Sequence, residues 1–199
     1  MTSTNKMGKI FIISGPSGVG KTTIVENLLD AEMGMKFSVS MTTRDRRSDD
    51  KPDGVKYRFI TKDEFAAHVA AHDFLEYAEY SNSSYGTPKA EVLPYREKGI
   101  DVVLDIEVQG MRQIKQLYPE AITIFLLPPS FEVLEDRLRK RNESKNEHKL
   151  TEEQIQKRLA TARNEIEQQD QYDYKVINDD LKTAVDKVVY IVRPHRRKD

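Results

Sequence analysis

The chain has 199 residues, with 32 Lys and Arg against 33 Asp and Glu, a formal charge of −1 and no cysteine. That length suits one domain carrying small insertions, with a core that needs no covalent staples. The missing cysteines exclude disulfide frameworks, thiolate catalysis and Cys-ligated zinc, balanced charge disfavours a uniformly basic nucleic-acid binder, and no apolar run reaches the roughly 18 residues of a membrane helix. The expectation is a cytoplasmic protein with neither membrane nor nucleic acid as partner.

Residues Met1 to Gly8 are polar. Lys9 to Ser14 is a short β-branched run that predicts a strand, followed by a glycine-rich turn from Gly15 to Gly20. From Thr22 the apolar residues Ile24, Val25, Leu28 and Leu29 recur at helical spacing. Phe37 to Ser40 reads as a second strand, Thr42 to Asp53 as a charged loop, and Tyr57 to Ile60 as a strand. Thr61 and Glu64 have capping-box spacing ahead of a helix to about Ala71. Phe74 to Tyr80 predicts a strand, Tyr85 to Pro88 a turn, and Lys89 to Lys98 a helix containing Pro94.

Ile100 to Ile106 and Ala121 to Leu127 are continuous apolar runs, as buried parallel strands require. Helices are expected over Val108 to Leu117, Ser130 to Arg141, Thr151 to Gln169 (Thr151 and Gln154 again spaced as a capping box) and Leu181 to Arg193. Tyr174 to Ile177 is a last strand. Alternating strands and helices predict an α/β fold with a parallel sheet covered on both faces. Phe37 to Glu91 breaks the rhythm as a small mixed insertion, and the charged stretch 140–150 looks like a second, mobile one.

Gly15-Pro16-Ser17-Gly18-Val19-Gly20-Lys21-Thr22 matches the phosphate-loop pattern in full, with a strand before it and a helix after. Its glycines let backbone N–H groups wrap phosphate oxygens, and the helix adds its positive end. Lys21 supplies a point charge, and the Thr22 hydroxyl is a candidate Mg²⁺ ligand. Asp105, closing an apolar strand, is a candidate support for that Mg²⁺ through water, and Glu107 lines the same crevice. The loop alone leaves the phosphate acceptor open, whether water, a protein or a small molecule.

The polar loop holding Arg44, Arg46 and Arg47 offers two guanidinium forks, Arg44 and Arg47, for a single phosphate. With Ser38-Val39-Ser40, Thr42-Thr43-Arg44, Phe74-Leu75-Glu76-Tyr77-Ala78, Tyr85-Gly86-Thr87, Leu104-Asp105-Ile106-Glu107-Val108-Gln109-Gly110, Arg137-Leu138, Arg141, Arg158-Leu159 and Asn178-Asp179-Asp180-Leu181, the chain resembles the guanylate kinases over nearly its whole length. The resemblance implies a P-loop nucleoside monophosphate kinase of purine metabolism, with ATP and GMP as substrates (dGMP tolerance left open) and Mg²⁺ accompanying ATP.

It further implies that Ser40, Glu76 and Thr87 read the guanine, that Arg44, Arg47, Tyr57 and Tyr85 bind the GMP phosphate, and that Asp105 and Glu107 also belong to the GMP-binding set. Gly15 to Thr22, Thr23 and Asn178 would hold ATP. Lys21, Arg137, Arg141 and Arg158 would act in catalysis, Thr22 and, through water, Asp105 at the metal. The division expected is a core over 1–36, 92–139 and 159–199, a GMP-binding insertion over 37–91 and a lid over 140–158. The state expected is monomer or homodimer. The sequence departs from the family pattern in four places. Ser48 to Gly54 is one residue longer and lacks Gly-Glu, Arg46 stands where proline is common, Ser84 where tyrosine is usual and Asn142 where glycine is typical. Two other readings share the loop: a kinase acting on AMP, a pyrimidine nucleotide or another small phosphate, and a non-catalytic interaction module. Glu76 with Ser40 speaks against the first, and the intact lysine and arginines against the second.

Overall fold

Every residue of β1 (Ile10–Ser14) is buried. A strand with no polar face needs strands on both sides and helices above and below. The computed structural model, which describes residues 7–46, 50, 56–80, 82–143 and 149–196, gives it both. The sheet has the order β2 (Lys36–Phe37), β7 (Val102–Asp105), β1, β8 (Ile122–Leu127) and β9 (Tyr174–Ile177), and all its pairings are parallel.

Side chains alternate across β1. Phe11 and Ile13 face a cluster with Ile24, Leu28, Ile124 and Val188, so α1 (Lys21–Ala31) and α7 (Leu181–Val192) cover that side. Ile10 and Ile12 face Met111, Ile114, Phe125 and Tyr172, so α4 (Val108–Leu117) covers the other. The register sets Asp105 beside Ile13, which brings the carboxyl ends of β1 and β7 level at one edge. The chain belongs to the α/β class predicted.

A second sheet has the order β4 (Tyr57–Phe59), β3 (Ser40–Thr42), β6 (Ser83–Pro88) and β5 (Phe74–Tyr80). β3 runs parallel to β4 and antiparallel to β6. Its core is small: Met41, Phe65 and Phe74, with the two rings stacked at 4.7 Å under α2 (Lys62–Ala70). Gln113 of α4 clasps this sheet to the first. Its Nε2 donates to the Tyr77 carbonyl at 2.8 Å and its Oε1 accepts from the Tyr77 N–H at 3.2 Å.

Several expected boundaries move. Phe37 to Ser40 is not one strand: Ser38 N–H donates to Val103 in the first sheet, Ser40 N–H to Lys56 in the second, so the chain crosses between sheets there. Tyr85 to Pro88 is strand, not turn. Gly86 is required by packing, since a Cβ on it would lie 2.8 Å from the Phe74 ring. The turn lies earlier, at Asn82, whose φ of 66° is tolerated by asparagine. Lys89 to Lys98 divides into a 3₁₀ turn, Lys89–Glu91, and α3 (Leu93–Glu97), with Pro94 in the first turn where its missing N–H costs little. The strand expected over Ile100 to Ile106 is four residues long, Val102–Asp105.

Both expected capping boxes form, at Thr61 before α2 and at Thr151 before α6 (Glu152–Glu167). α5 (Phe131–Glu143) ends where Asn142 bonds the Leu150 backbone in both directions, at 3.1 and 2.6 Å.

Phe125 is fully buried, with its ring edge-on to Tyr172 at 4.9 Å. Phe125→Ala should destabilise the fold by about 3–5 kcal/mol, read as a lower midpoint in urea unfolding; a loss below about 1 kcal/mol would show that this layer is not close-packed.

Candidate active site

At the level edge of β1 and β7, the chain leaves β1 through Gly15 and re-enters a helix at Lys21. Gly20 has φ 97°, and a Cβ there would sit 2.6 Å from the Asn178 side-chain nitrogen. Only glycine meets both conditions. Asn178 fixes the loop from behind: its Nδ2 donates to the Val19 carbonyl at 2.7 Å, and its own carbonyl accepts from both terminal nitrogens of Arg137 at 3.1 Å. Asn178, expected among the ATP-binding residues, is buried against the loop. Gly15 and Val19 form the loop's inner side, while Pro16, Ser17, Gly18, Gly20, Lys21, Thr22 and Thr23 line a cavity of about 560 Å³.

The floor of that cavity holds dense opposite charge. The Lys21 ammonium donates to the Gly15 carbonyl. Burial alone would lower its pKa, but the charges of Glu107, Asp105 and Glu165 outweigh that and hold it above the ordinary lysine value. For Asp105, burial opposes ionisation, yet Lys56 and Lys21 keep its carboxyl below the usual range. Lys56 Nζ lies 2.5 Å from Asp105 Oδ2 and donates to Thr22 Oγ1 at 2.7 Å. Glu165, on α6, is raised above the carboxylate range by burial and by the neighbouring Glu107 charge.

On the opposite wall stand residues of the second sheet. Ser40, Tyr57, Glu76 and Tyr85 line the cavity. Thr87 is fully buried behind them and donates its hydroxyl to Glu76 Oε1 at 2.5 Å. Glu76 is 4% exposed; burial pushes its carboxyl up to about 7, against the lowering effect of Thr87. The carboxylate also rests on Gly110 of α4, where a Cβ would lie 2.3 Å from Oε2. Burial holds the Tyr57 phenol well above its ordinary value.

Arg44 enters the same cavity, but its fork is engaged by Asp50, with Nη1–Oδ2 and Nη2–Oδ1 both 2.7 Å. Burial opposes its charge while Asp50 more than compensates. Arg47 lies outside the described residues. Arg137, Arg141 and Arg158, from α5 and α6, line the cavity's far side with Asp105 and Glu107 on its floor. The site thus gathers the phosphate loop, the acidic strand end, the buried Glu76 and arginines from widely separated segments of sequence.

Lys56, Asp50, Tyr80 and Glu165 were not foreseen in the sequence. Lys56 sits one residue before the singled-out Tyr57, and nothing in its spacing marks it. Glu165 follows a helical apolar pattern and reads as one more solvated acid. Gly110 was visible in the Asp-Ile-Glu-Val-Gln-Gly segment, but its role as a seat for Glu76 needs the fold. His68, one of an i, i+4 histidine pair, contacts Asp73 at 2.8 Å, and no cluster of three metal-ligating residues occurs among the described residues. No helix among them is long and apolar enough to cross a membrane.

A complete phosphate loop after the central strand of a parallel sheet, with an acid at the end of the adjacent strand, defines a P-loop nucleotide-binding protein. The family model described as guanylate kinase matches residues 7–194. A guanylate kinase of Oceanobacillus iheyensis is 47% identical over 191 residues, covering 96% of this chain and 89% of that one. One of Neisseria gonorrhoeae is 44% identical over 196 residues, covering 98% and 92%. The crystal structure of guanylate kinase from Anaplasma phagocytophilum superposes with a TM-score of 0.75 at 29% identity, covering 97% of this chain and 88% of that one. The chain belongs to the guanylate kinase family, and with it to the nucleoside monophosphate kinases.

The raised Glu76 pKa carries a stability signature. A carboxyl at about 7 in the fold and 4.5 as its ordinary value favours folding fully below pH 4.5, and that contribution is lost as pH rises through 7, to the extent of about 3 kcal/mol. Glu76→Gln should therefore be more stable than the parent by about 1–3 kcal/mol at pH 8, with the advantage shrinking below pH 7 and vanishing below about pH 4.5. Urea unfolding across that range checks it; an advantage independent of pH would show that Glu76 ionises freely in the fold.

Proposed function

We propose that the protein transfers the γ-phosphoryl group of Mg²⁺-ATP to GMP, giving ADP and GDP. The observation that carries this reading is the meeting, in a single cavity, of a phosphate loop on one wall and the buried Glu76 carboxylate on the other. The first suits a nucleoside triphosphate. The second suits a base that presents two adjacent N–H donors.

In this reading Glu76 accepts from guanine N1–H and the 2-amino group, Thr87 holds the carboxylate in place, and Ser40 contacts the base edge. Adenine offers an acceptor at N1 and no 2-amino group, and would leave Glu76 buried and unpaired; sites built to bond such groups discriminate strongly against analogues that lack them. Tyr57, Tyr85, Arg44 and Arg47 take the GMP phosphate. For Arg44 this means exchanging the Asp50 carboxylate for a phosphate, one bidentate partner for another.

The donor phosphates lie along the loop from Gly15 to Thr22. Thr22 and Asp105 fit a divalent cation, since they already converge on one positive charge, the Lys56 ammonium. Bound there with ATP, Mg²⁺ would neutralise charge on the phosphates. The GMP phosphate is largely dianionic near neutral pH and needs no strong general base. The catalytic task is to bring two anions together and stabilise the charge of the transferring group, by Lys21 from below and by Arg137, Arg141 and Arg158 from the far side. Residues 37–91 act as the acceptor-binding unit and 140–158 as the lid whose closure excludes water.

ADP formation from Mg²⁺-ATP should be selective for GMP when GMP, dGMP, AMP, CMP and UMP are offered separately beside a control without acceptor. Glu76→Gln should lower kcat/KM for GMP by about 100-fold or more. Faster turnover with AMP or a pyrimidine nucleotide would sink the guanine assignment, and ATP binding without any turnover would favour an interaction module.

A further inference from the structure

Lys56 is a cation of the cavity floor that the proposed reaction does not use. Its backbone is pinned at the start of the second sheet, where the Lys56 carbonyl accepts from the Ser40 N–H at 3.2 Å. Its side chain crosses to the first sheet and ends between the two groups that the proposed function gives to the metal. These are the Thr22 hydroxyl at 2.7 Å and the Asp105 carboxylate at 2.5 Å. The Asp105 side chain is 3% exposed and that of Lys56 26%, so the ammonium arrives from the solvent side of a buried acid.

We propose that Lys56 is an internal counter-cation. It holds the place of the divalent ion in the nucleotide-free protein and must be displaced when the metal arrives with ATP. A Mg²⁺ ion binds oxygen at about 2.0–2.1 Å. An ammonium within hydrogen-bond distance of the same hydroxyl would then be almost in contact with it, and two cations cannot share that gap. Lys56 and the metal therefore exclude each other. Without metal, the ammonium keeps Asp105 paired and would neutralise the phosphates of free ATP. With metal, its departure unties β4 from the phosphate loop. Lys56 is thus a positioning residue, acting through Thr22 and Asp105.

The inference rests on the donor being Mg²⁺-ATP, and the test separates the two. Calorimetric titration would give the Kd of ATP in EDTA and of ATP with excess Mg²⁺, without GMP, for the parent, Lys56→Met and Lys56→Arg. In Lys56→Met the metal complex no longer has a cation to displace, and free ATP meets an uncovered Asp105. The ratio of the two constants, free ATP over Mg²⁺-ATP, should rise at least tenfold, while Lys56→Arg stays within about threefold of the parent. The nucleotide-free Lys56→Met protein should also melt lower, and excess Mg²⁺-ATP should recover most of that loss, which distinguishes it from a misfolded variant. An unchanged ratio overturns the proposal. If the parent binds neither form of ATP, the donor assignment fails and takes this inference with it.

Discussion

Carboxylates buried at the end of a hydrophobic sheet dictate much of this site. Asp105, Glu107 and Glu165 converge beneath the phosphate loop, where solvation is poor and unpaired charge is costly. Lys21 is held protonated by all three, and Asp105 is held ionised by Lys56 and Lys21. Glu165 takes the other solution and shifts towards its neutral form beside Glu107. The charges beneath the phosphate loop are therefore paired before any nucleotide enters.

That pairing needs both sheets at a fixed separation, and α4 supplies it. One helix carries Gly110, which lets the Glu76 carboxylate lie against the helix backbone, and Gln113, which grips the Tyr77 backbone next along β5. Met111 between them and Ile114 just beyond are buried in the first sheet's core. The acceptor wall is thus anchored to the same helix that packs under β1. An alanine at Gly110 would push on Glu76 directly, so the glycine is a packing constraint placed one turn into a helix, where propensity alone would disfavour it.

The parallel sheet was legible because its strands are continuous apolar runs and its phosphate loop is a local pattern of eight residues; local signals survive without knowledge of the fold. The second sheet was less so. β4 and β5 were read as strands, but β3 has three residues, too short for periodicity to separate from loop. Gly86 and Pro88 imitate a turn, when the glycine is there to let β6 approach the Phe74 ring. Among site residues, those inside motifs were found. Asn178 was noticed, but its bond to Val19 spans 159 residues and could not be read from spacing. Lys56 and Glu165 were missed because their significance lies only in which distant carboxylate faces them, a property that spacing does not encode.

Two ion pairs in the acceptor-side wall have a common logic under the proposed chemistry. Arg44 holds Asp50 where a phosphate would bind, and Lys56 covers Asp105 where a metal would bind. Each internal partner has the sign of the group that replaces it, so substrate binding exchanges one paired charge for another and never exposes a bare one to a low-dielectric cavity. The exchange weakens apparent affinity, since a pair must break for each that forms. In return the nucleotide-free cavity avoids the larger penalty of a lone buried guanidinium or carboxylate. Both pairs draw on residues from Arg44 to Lys56, apart from the phosphate loop. Variation there can tune how tightly each substrate must compete without altering the phosphate loop, Glu76 or the arginines that face the transferring group.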